Sequence, residues 1–214
     1  MKIHYVNLGM ARNATTWLFH TLMQSEDIDY TGKKEPDISL FNSIDAYEDY
    51  YKHYQVGLNF KPNAWMLDSQ QLSYLNQKAT HQSIIFRNPY DFANSLYNFW
   101  NSQQVNNDDF ITAFSYYFNY TKILNRLSPN ILILLYDNIV NQPQQVVNQL
   151  TDYLEISPVT AISNKINKTR YSKELIFNNK NIKILNDEIE RFQDYINVNL
   201  SHWITNVQNK IAVS

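Results

Sequence analysis

The sequence predicts an α/β fold, a central parallel sheet flanked by helices, on three observations. Apolar runs of strand length occur at residues 3–8, 83–86 and 131–136, and each is followed by a stretch with helical spacing. A polar loop, Gly9-Met10-Ala11-Arg12-Asn13-Ala14-Thr15-Thr16, separates the first run from its helix. Strands that alternate with helices form parallel sheets, whose binding sites lie at the carboxyl ends of the strands.

Taken in order, Ile3-His4-Tyr5-Val6-Asn7-Leu8 alternates like a buried strand, and Trp17-Leu18-Phe19-His20-Thr21-Leu22-Met23 reads as the helix after it. The polar stretch 30–37 is a loop. Tyr47, Tyr50, Tyr51 and Tyr54 recur at three- and four-residue spacing, which predicts an amphipathic helix over 44–54 with an aromatic core face. Ala64-Trp65-Met66-Leu67-Asp68 is expected as a second buried strand, followed by a short helix over 72–77. Ser83-Ile84-Ile85-Phe86 is a strand that ends at Arg87-Asn88-Pro89, where proline cannot continue it. Residues 90–100 form a helix with Phe92, Leu96, Phe99 and Trp100 on one face. A longer helix over 110–127 precedes Ile131-Leu132-Ile133-Leu134-Leu135-Tyr136, a strand expected to be buried on both faces. Pro143 suits the first turn of a helix over 143–154, and a last helix spans 182–195 after a polar, basic loop at 163–173. No repeat or linker divides the chain, so 1–214 reads as one domain.

Composition narrows the function. With 44% hydrophobic residues and a net charge of −2, the chain is neither an acidic disordered tail nor a basic nucleic-acid coat, so any anion site must be local. The absence of cysteine removes disulfides and thiolate chemistry. Residue 3 already begins a strand, and no apolar run is long enough to span a bilayer, so the expectation is a soluble, cytoplasmic protein. No His, Asp or Glu spacing suggests a metal.

Two anion-site candidates lie at the ends of two predicted strands. The loop through Arg12 joins a strand to a helix start, where unpaired amides carry partial positive charge. A Walker A loop needs Gly-Lys-Ser/Thr at its end, and Ala14-Thr15-Thr16 stands there instead, which disfavours an ordinary ATP or GTP site. The second candidate is Arg87 with Ser95 eight residues later on the following helix. Two phosphate sites on one sheet suggest a nucleoside phosphorylated at both ends.

On these residues the chain resembles the sulfotransferases that use 3′-phosphoadenosine 5′-phosphosulfate (PAPS). Their 5′-phosphosulfate loop, Pro-Lys-X-Gly-Thr-Thr-Trp-Leu, is similar to Ala11-Arg12-Asn13-Ala14-Thr15-Thr16-Trp17-Leu18. Their 3′-phosphate motif, Arg-X-Pro-X-Asp with a serine eight after the arginine, is similar to Arg87-Asn88-Pro89-Tyr90-Asp91 and Ser95. Tyr136-Asp137-Asn138-Ile139 looks like their Tyr-Glu-Asp-Leu, and Lys34-Glu35-Pro36-Asp37 is similar to the Lys-Glu-Pro/Val-His-Phe-Phe of the glycan-acting branch. The order and spacing of all four agree from residue 3 to about 171.

The resemblance implies a P-loop-like fold, PAPS as co-substrate without a metal, and transfer of the sulfuryl group to a hydroxyl or amine. Lys34-Glu35-Pro36 favours a saccharide hydroxyl. Arg12, Asn13, Ala14, Thr15, Thr16 and Trp17 would form the 5′ site, with Trp17 either stacked on adenine or serving as a core indole. Arg87 and Ser95 would bind the 3′-phosphate, and Lys168 and Arg170 resemble a basic loop over the nucleotide. Glu35 would be the general base, with Asp68 as the alternative, and Lys34 would add charge near the transferring group. Glu35 is also placed to pair with Lys33 or Lys34 as an exposed ion pair. Two positions depart from the family: Arg12 replaces a lysine, supplying fixed charge only, and Ala14 replaces a glycine, at a cost if φ is positive. They keep open a nucleotide-binding protein without turnover, and the same type of sheet leaves a P-loop-like phosphotransferase as another alternative.

Overall fold

A computed structural model of the protein describes residues 3–36, 43–60, 63–100, 110–162 and 175–205. The chain falls into two compact units, one within Met1–Phe86 and Leu127–Lys168, the other within Arg87–Arg126 and Thr169–Ser214.

The first unit carries a four-stranded parallel sheet in the order β2-β1-β3-β4. The strands are β1 (Ile3–Asn7), β2 (Val56–Asn59), β3 (His81–Phe86) and β4 (Leu132–Leu135). β1 lies between β2, with Ile3 opposite Val56, and β3, with Asn7 opposite Ser83. The chain leaves β1 for β2 on one side and then crosses to β3 on the other, so the loop after β1 stands at the switch point of the sheet. Helices α1 (Thr15–Leu22), α2 (Ile44–Tyr51), α3 (Ser69–Lys78), α7 (Tyr136–Asn141) and α8 (Pro143–Leu154) belong to this unit. Tyr5, Val6, Leu58, Ile84, Ile85 and Phe86 are fully buried in its core.

The second strand is not where periodicity placed it. Residues 64–68 turn instead: Asn63 adopts φ 59°, Ala64–Met66 form a 3₁₀ turn, and Asp68 caps α3. The true β2, Val-Gly-Leu-Asn, is short and holds a glycine, a residue that weakens strand patterns. Gly57 is needed there because a Cβ would press into the ring of Tyr51. β4 also departs from expectation. It is the last strand of the sheet, and only Leu134 is buried, the other three residues being half-buried.

The second unit is helical: α4 (Pro89–Trp100), α5 (Phe110–Ala113), α6 (Tyr120–Leu124) and α9 (Asn179–Ile196). The helix expected over 110–127 is broken twice, at Phe114 and Asn119, with a 3₁₀ turn at Ser115–Phe118 between. Asn119 explains the second break: its side chain accepts from the Lys122 amide (3.1 Å) and so starts a new helix. Glu188 of α9, 2% exposed, holds that start by accepting from the Thr121 amide (2.9 Å) and hydroxyl (3.0 Å), and it pairs with Arg191 (2.7 Å). On α4 the buried face carries Phe92, Leu96 and Tyr97, whereas Phe99, expected inside, is 58% exposed. No helix among the described residues is long and apolar enough to cross a membrane.

Candidate active site

The loop after β1 is tied to the sheet by its backbone. The Leu8 amide donates to Ser83 O (2.9 Å), and Gly9 O accepts from the Ile85 amide (3.0 Å). Asn7 fixes the exit: its Oδ1 accepts from the Gly9 amide (3.2 Å), while its Nδ2 donates to the Ser83 hydroxyl (2.8 Å), which also meets the Tyr5 hydroxyl (2.5 Å). Asn13, fully buried, donates from Nδ2 to Ile85 O (2.8 Å). Asn13, expected among the nucleotide contacts, is therefore also a strut between the loop and β3. Asn63 joins the set by accepting from the Ala11 amide (3.4 Å). Asn7, Ser83 and Asn63 escaped the sequence reading, where an asparagine two residues before a glycine was the one available signal.

Arg12 (φ 67°) and Ala14 (φ 62°) adopt left-handed backbone on either side of Asn13. Alternation of this kind turns successive N–H groups to one side and forms an anion-binding hollow. α1 follows with its first intrahelical bond from the Leu18 amide to Ala14 O (3.0 Å). The amides of Thr15, Thr16 and Trp17 precede that bond, and the first turn contains no carboxylate to compete for them. Thr15 is buried and Thr16 exposed. The Trp17 indole is 1% exposed and donates from Nε1 to Ile162 O (2.8 Å), which gives it a place in the core of this unit.

The glycine of the family motif is thus replaced by alanine at a position that does hold positive φ. An L-residue there costs about 1–2 kcal/mol, less the unfolded-state entropy that a glycine would add. Ala14→Gly is expected to stabilise the protein by about 0.5–1 kcal/mol, raising Tm by roughly 1–4 °C. Thermal unfolding checks it, and a lower Tm would mean that the left-handed turn carries no strain.

Lys34 and Glu35 are brought to the start of α1. Lys34 O accepts from the Phe60 amide (3.0 Å), just beyond β2, and Lys34 Nζ donates to the Thr16 hydroxyl (2.9 Å) and pairs with Glu35 Oε1 (2.6 Å). Of the two lysines beside Glu35, Lys34 is therefore its partner. The Glu35 side chain keeps 43% of its surface exposed, leaving access for an acceptor. Asp68, the alternative base, is exposed at the N-cap of α3, where it accepts from the Gln71 amide (2.8 Å) in a capping box. Its expected place at a strand end is corrected accordingly.

In the second unit, Arg87 follows β3 in sequence and is 9% exposed, its carbonyl accepting from the Tyr120 hydroxyl (2.7 Å). Asn88 Oδ1 accepts from the Tyr90 amide (3.0 Å) and Asn88 O from the Phe92 amide (2.8 Å), so the Arg-Asn-Pro turn launches α4. Ser95, on α4, is 2% exposed, and its hydroxyl has no hydrogen-bond partner among the described residues. A buried hydroxyl left in that state is costly unless a ligand satisfies it. Lys168 and Arg170 lie outside the described residues. Among the described residues no group of three or more His, Asp or Glu could hold a metal ion.

A family model described as sulfotransferase domain matches residues 15–203, a span with residues of both units. Among solved structures, the sulfotransferase from Alicyclobacillus acidocaldarius is similar with a TM-score of 0.60 and 15% identity, over 95% of this chain and 99% of that one. A mouse sulfotransferase complexed with PAP is similar with a TM-score of 0.51 and 18% identity, over 73% of this chain and 59% of that one. At these identities the likeness carries the fold. No curated protein matches the chain.

Proposed function

The chain belongs to the sulfotransferase domain family, and from that premise we propose that it transfers the sulfuryl group of PAPS to a hydroxyl, a saccharide hydroxyl being the favoured acceptor, over one functional domain of 1–214. The observation that carries this reading is the contact chain at the start of α1. Lys34 Nζ stands 2.9 Å from Thr16 Oγ1 and 2.6 Å from Glu35 Oε1, so the phosphosulfate loop and the acceptor motif meet through one cation.

The chemistry is an in-line displacement. The acceptor oxygen forms a bond to sulfur as the bond from sulfur to the donor's bridging oxygen breaks. Glu35 takes the acceptor's proton, and the electron pair of the broken bond stays on the 5′-phosphate of the leaving 3′-phosphoadenosine 5′-phosphate (PAP). The amides of Thr15, Thr16 and Trp17, the Thr15 and Thr16 hydroxyls and the charges of Arg12 and Lys34 would stabilise that growing charge. Arg12 contributes by charge and hydrogen bonds, without passing a proton. Arg87 and Ser95 would take the 3′-phosphate, the otherwise orphaned Ser95 hydroxyl gaining a partner, and Lys168 and Arg170 would add charge over the nucleotide.

Calorimetry with PAP, AMP and ATP tests the donor assignment. A charge-assisted contact contributes about 1.5–3 kcal/mol, so PAP should bind roughly 10- to 100-fold tighter than AMP. Equal affinities would remove Arg87 and Ser95 from the 3′ site.

A further inference from the structure

The three hydrogen bonds around Lys33 close into a ring. Tyr30 O–H donates to Lys33 O (2.7 Å), so its single proton is spent there, and its contact with the Tyr50 hydroxyl (3.0 Å) must be donated by Tyr50. The Tyr50 oxygen in turn accepts from the Lys33 amide (3.2 Å). Both backbone polar groups of Lys33 are thus held by two phenols that hold each other. Burial pushes the Tyr30 hydroxyl above its ordinary range and keeps it a donor. The ring also explains a residue choice: a Cβ on Gly32 would collide with both hydroxyl oxygens.

We propose that Tyr30 and Tyr50 are positioning residues for sulfuryl transfer, acting through the main chain of Lys33 to aim the Lys34–Glu35 pair at Thr16. The next residue, Lys34, is pinned from the other side by the Phe60 amide (3.0 Å), so the backbone before Glu35 is fixed at both neighbouring peptides. With that backbone set, the Lys34 ammonium reaches Thr16 and Glu35. Loss of either phenol oxygen opens the ring and leaves one polar group of Lys33 without its partner. Displacements on the scale of an ångström at a reacting group lower rates steeply. This inference rests on Lys34 and Glu35 serving the acceptor side.

The test uses Tyr30→Phe, Tyr50→Phe, the double variant and Gly32→Ala in the full chain, with Tyr54→Phe as a control from the same aromatic cluster. Three readouts are taken: hydrogen exchange at the Lys33 amide, PAP affinity by calorimetry, and consumption of labelled PAPS with water as acceptor. Each ring variant should raise Lys33 exchange and lower kcat by on the order of tenfold, with KM for PAPS and PAP affinity unchanged within about twofold. The double variant should be no worse than either single one, because the ring acts as a unit. Tyr54→Phe should do neither. Unchanged exchange at Lys33, or single effects that multiply in the double variant, would overturn the ring. Faster exchange with undiminished turnover, where Glu35→Gln does lose turnover, would overturn its positioning role and leave the function standing. If Glu35→Gln keeps full turnover, the base assignment falls and the positioning role falls with it, exchange at Lys33 alone then deciding whether the ring exists.

Discussion

Glu35→Gln is expected to lower turnover by about 10²- to 10⁴-fold while PAP affinity stays within about twofold, the range that a positioned general base contributes. Glutamine has nearly the shape of glutamate, and its amide oxygen can still accept from Lys34 Nζ, which stands 2.6 Å from Oε1 in the native protein. What it cannot do is accept the acceptor's proton. The substitution therefore separates proton removal from the packing of the Lys34–Thr16 contact. Steady-state kinetics beside calorimetry reads both quantities. Unaltered turnover would move the base to Asp68, whose carboxylate would have to leave the Gln71 amide it now caps at 2.8 Å.

Arg87→Ala should weaken PAP binding by about 1.5–3 kcal/mol and leave AMP binding nearly unchanged, because AMP carries no 3′-phosphate for Arg87 to hold. The Ser95 hydroxyl gives this prediction a companion of opposite sign in the free protein. Ser95 is 2% exposed with no hydrogen-bond partner among the described residues. Ser95→Ala removes a buried polar atom, so it should stabilise the unliganded chain, by about 1 kcal/mol, while weakening PAP. Parallel melting curves and titrations would show the trade. Loss of stability on Ser95→Ala would mean that the hydroxyl already has a partner within the protein, and unchanged PAP affinity in Arg87→Ala would place the 3′-phosphate elsewhere.

Legibility from sequence followed the strength of local signals. β1 and β3 were readable as short apolar runs because nearly every residue in them is buried, and the helices with clear apolar stripes because burial of one face imposes a period. β2 was not, since four residues with a glycine among them show no alternation, and the apolar run at 64–68 that read as a strand instead turns after the left-handed Asn63. The break at Asn119 was hidden because an asparagine is unremarkable in a helix until its side chain caps a new one. At the site, Arg12, Thr15, Thr16, Lys34 and Glu35 were legible as a motif, and the positive φ that a glycine-to-alanine change warns of is present at Ala14. The supports were illegible. Asn63 and Tyr50 act on backbone amides 52 and 17 residues away, Asn7 and Ser83 meet through side chains 76 residues apart, and Tyr30 is tied to Tyr50 across 20, contacts that no spacing along a chain encodes.

The place of β1 in the sheet also bears on how the protein is made. β1 is bordered on one side by a strand that ends at Asn59 and on the other by one that ends at Phe86, and the hydrogen bond from Asn7 to Ser83 spans 76 residues. During synthesis at about 5–20 residues per second, the first strand waits roughly 4–16 s before its second neighbour exists. Such distant pairing also slows folding once the chain is complete. Of the two interior strands, the one that launches the anion loop is therefore the one that waits longer for its second neighbour.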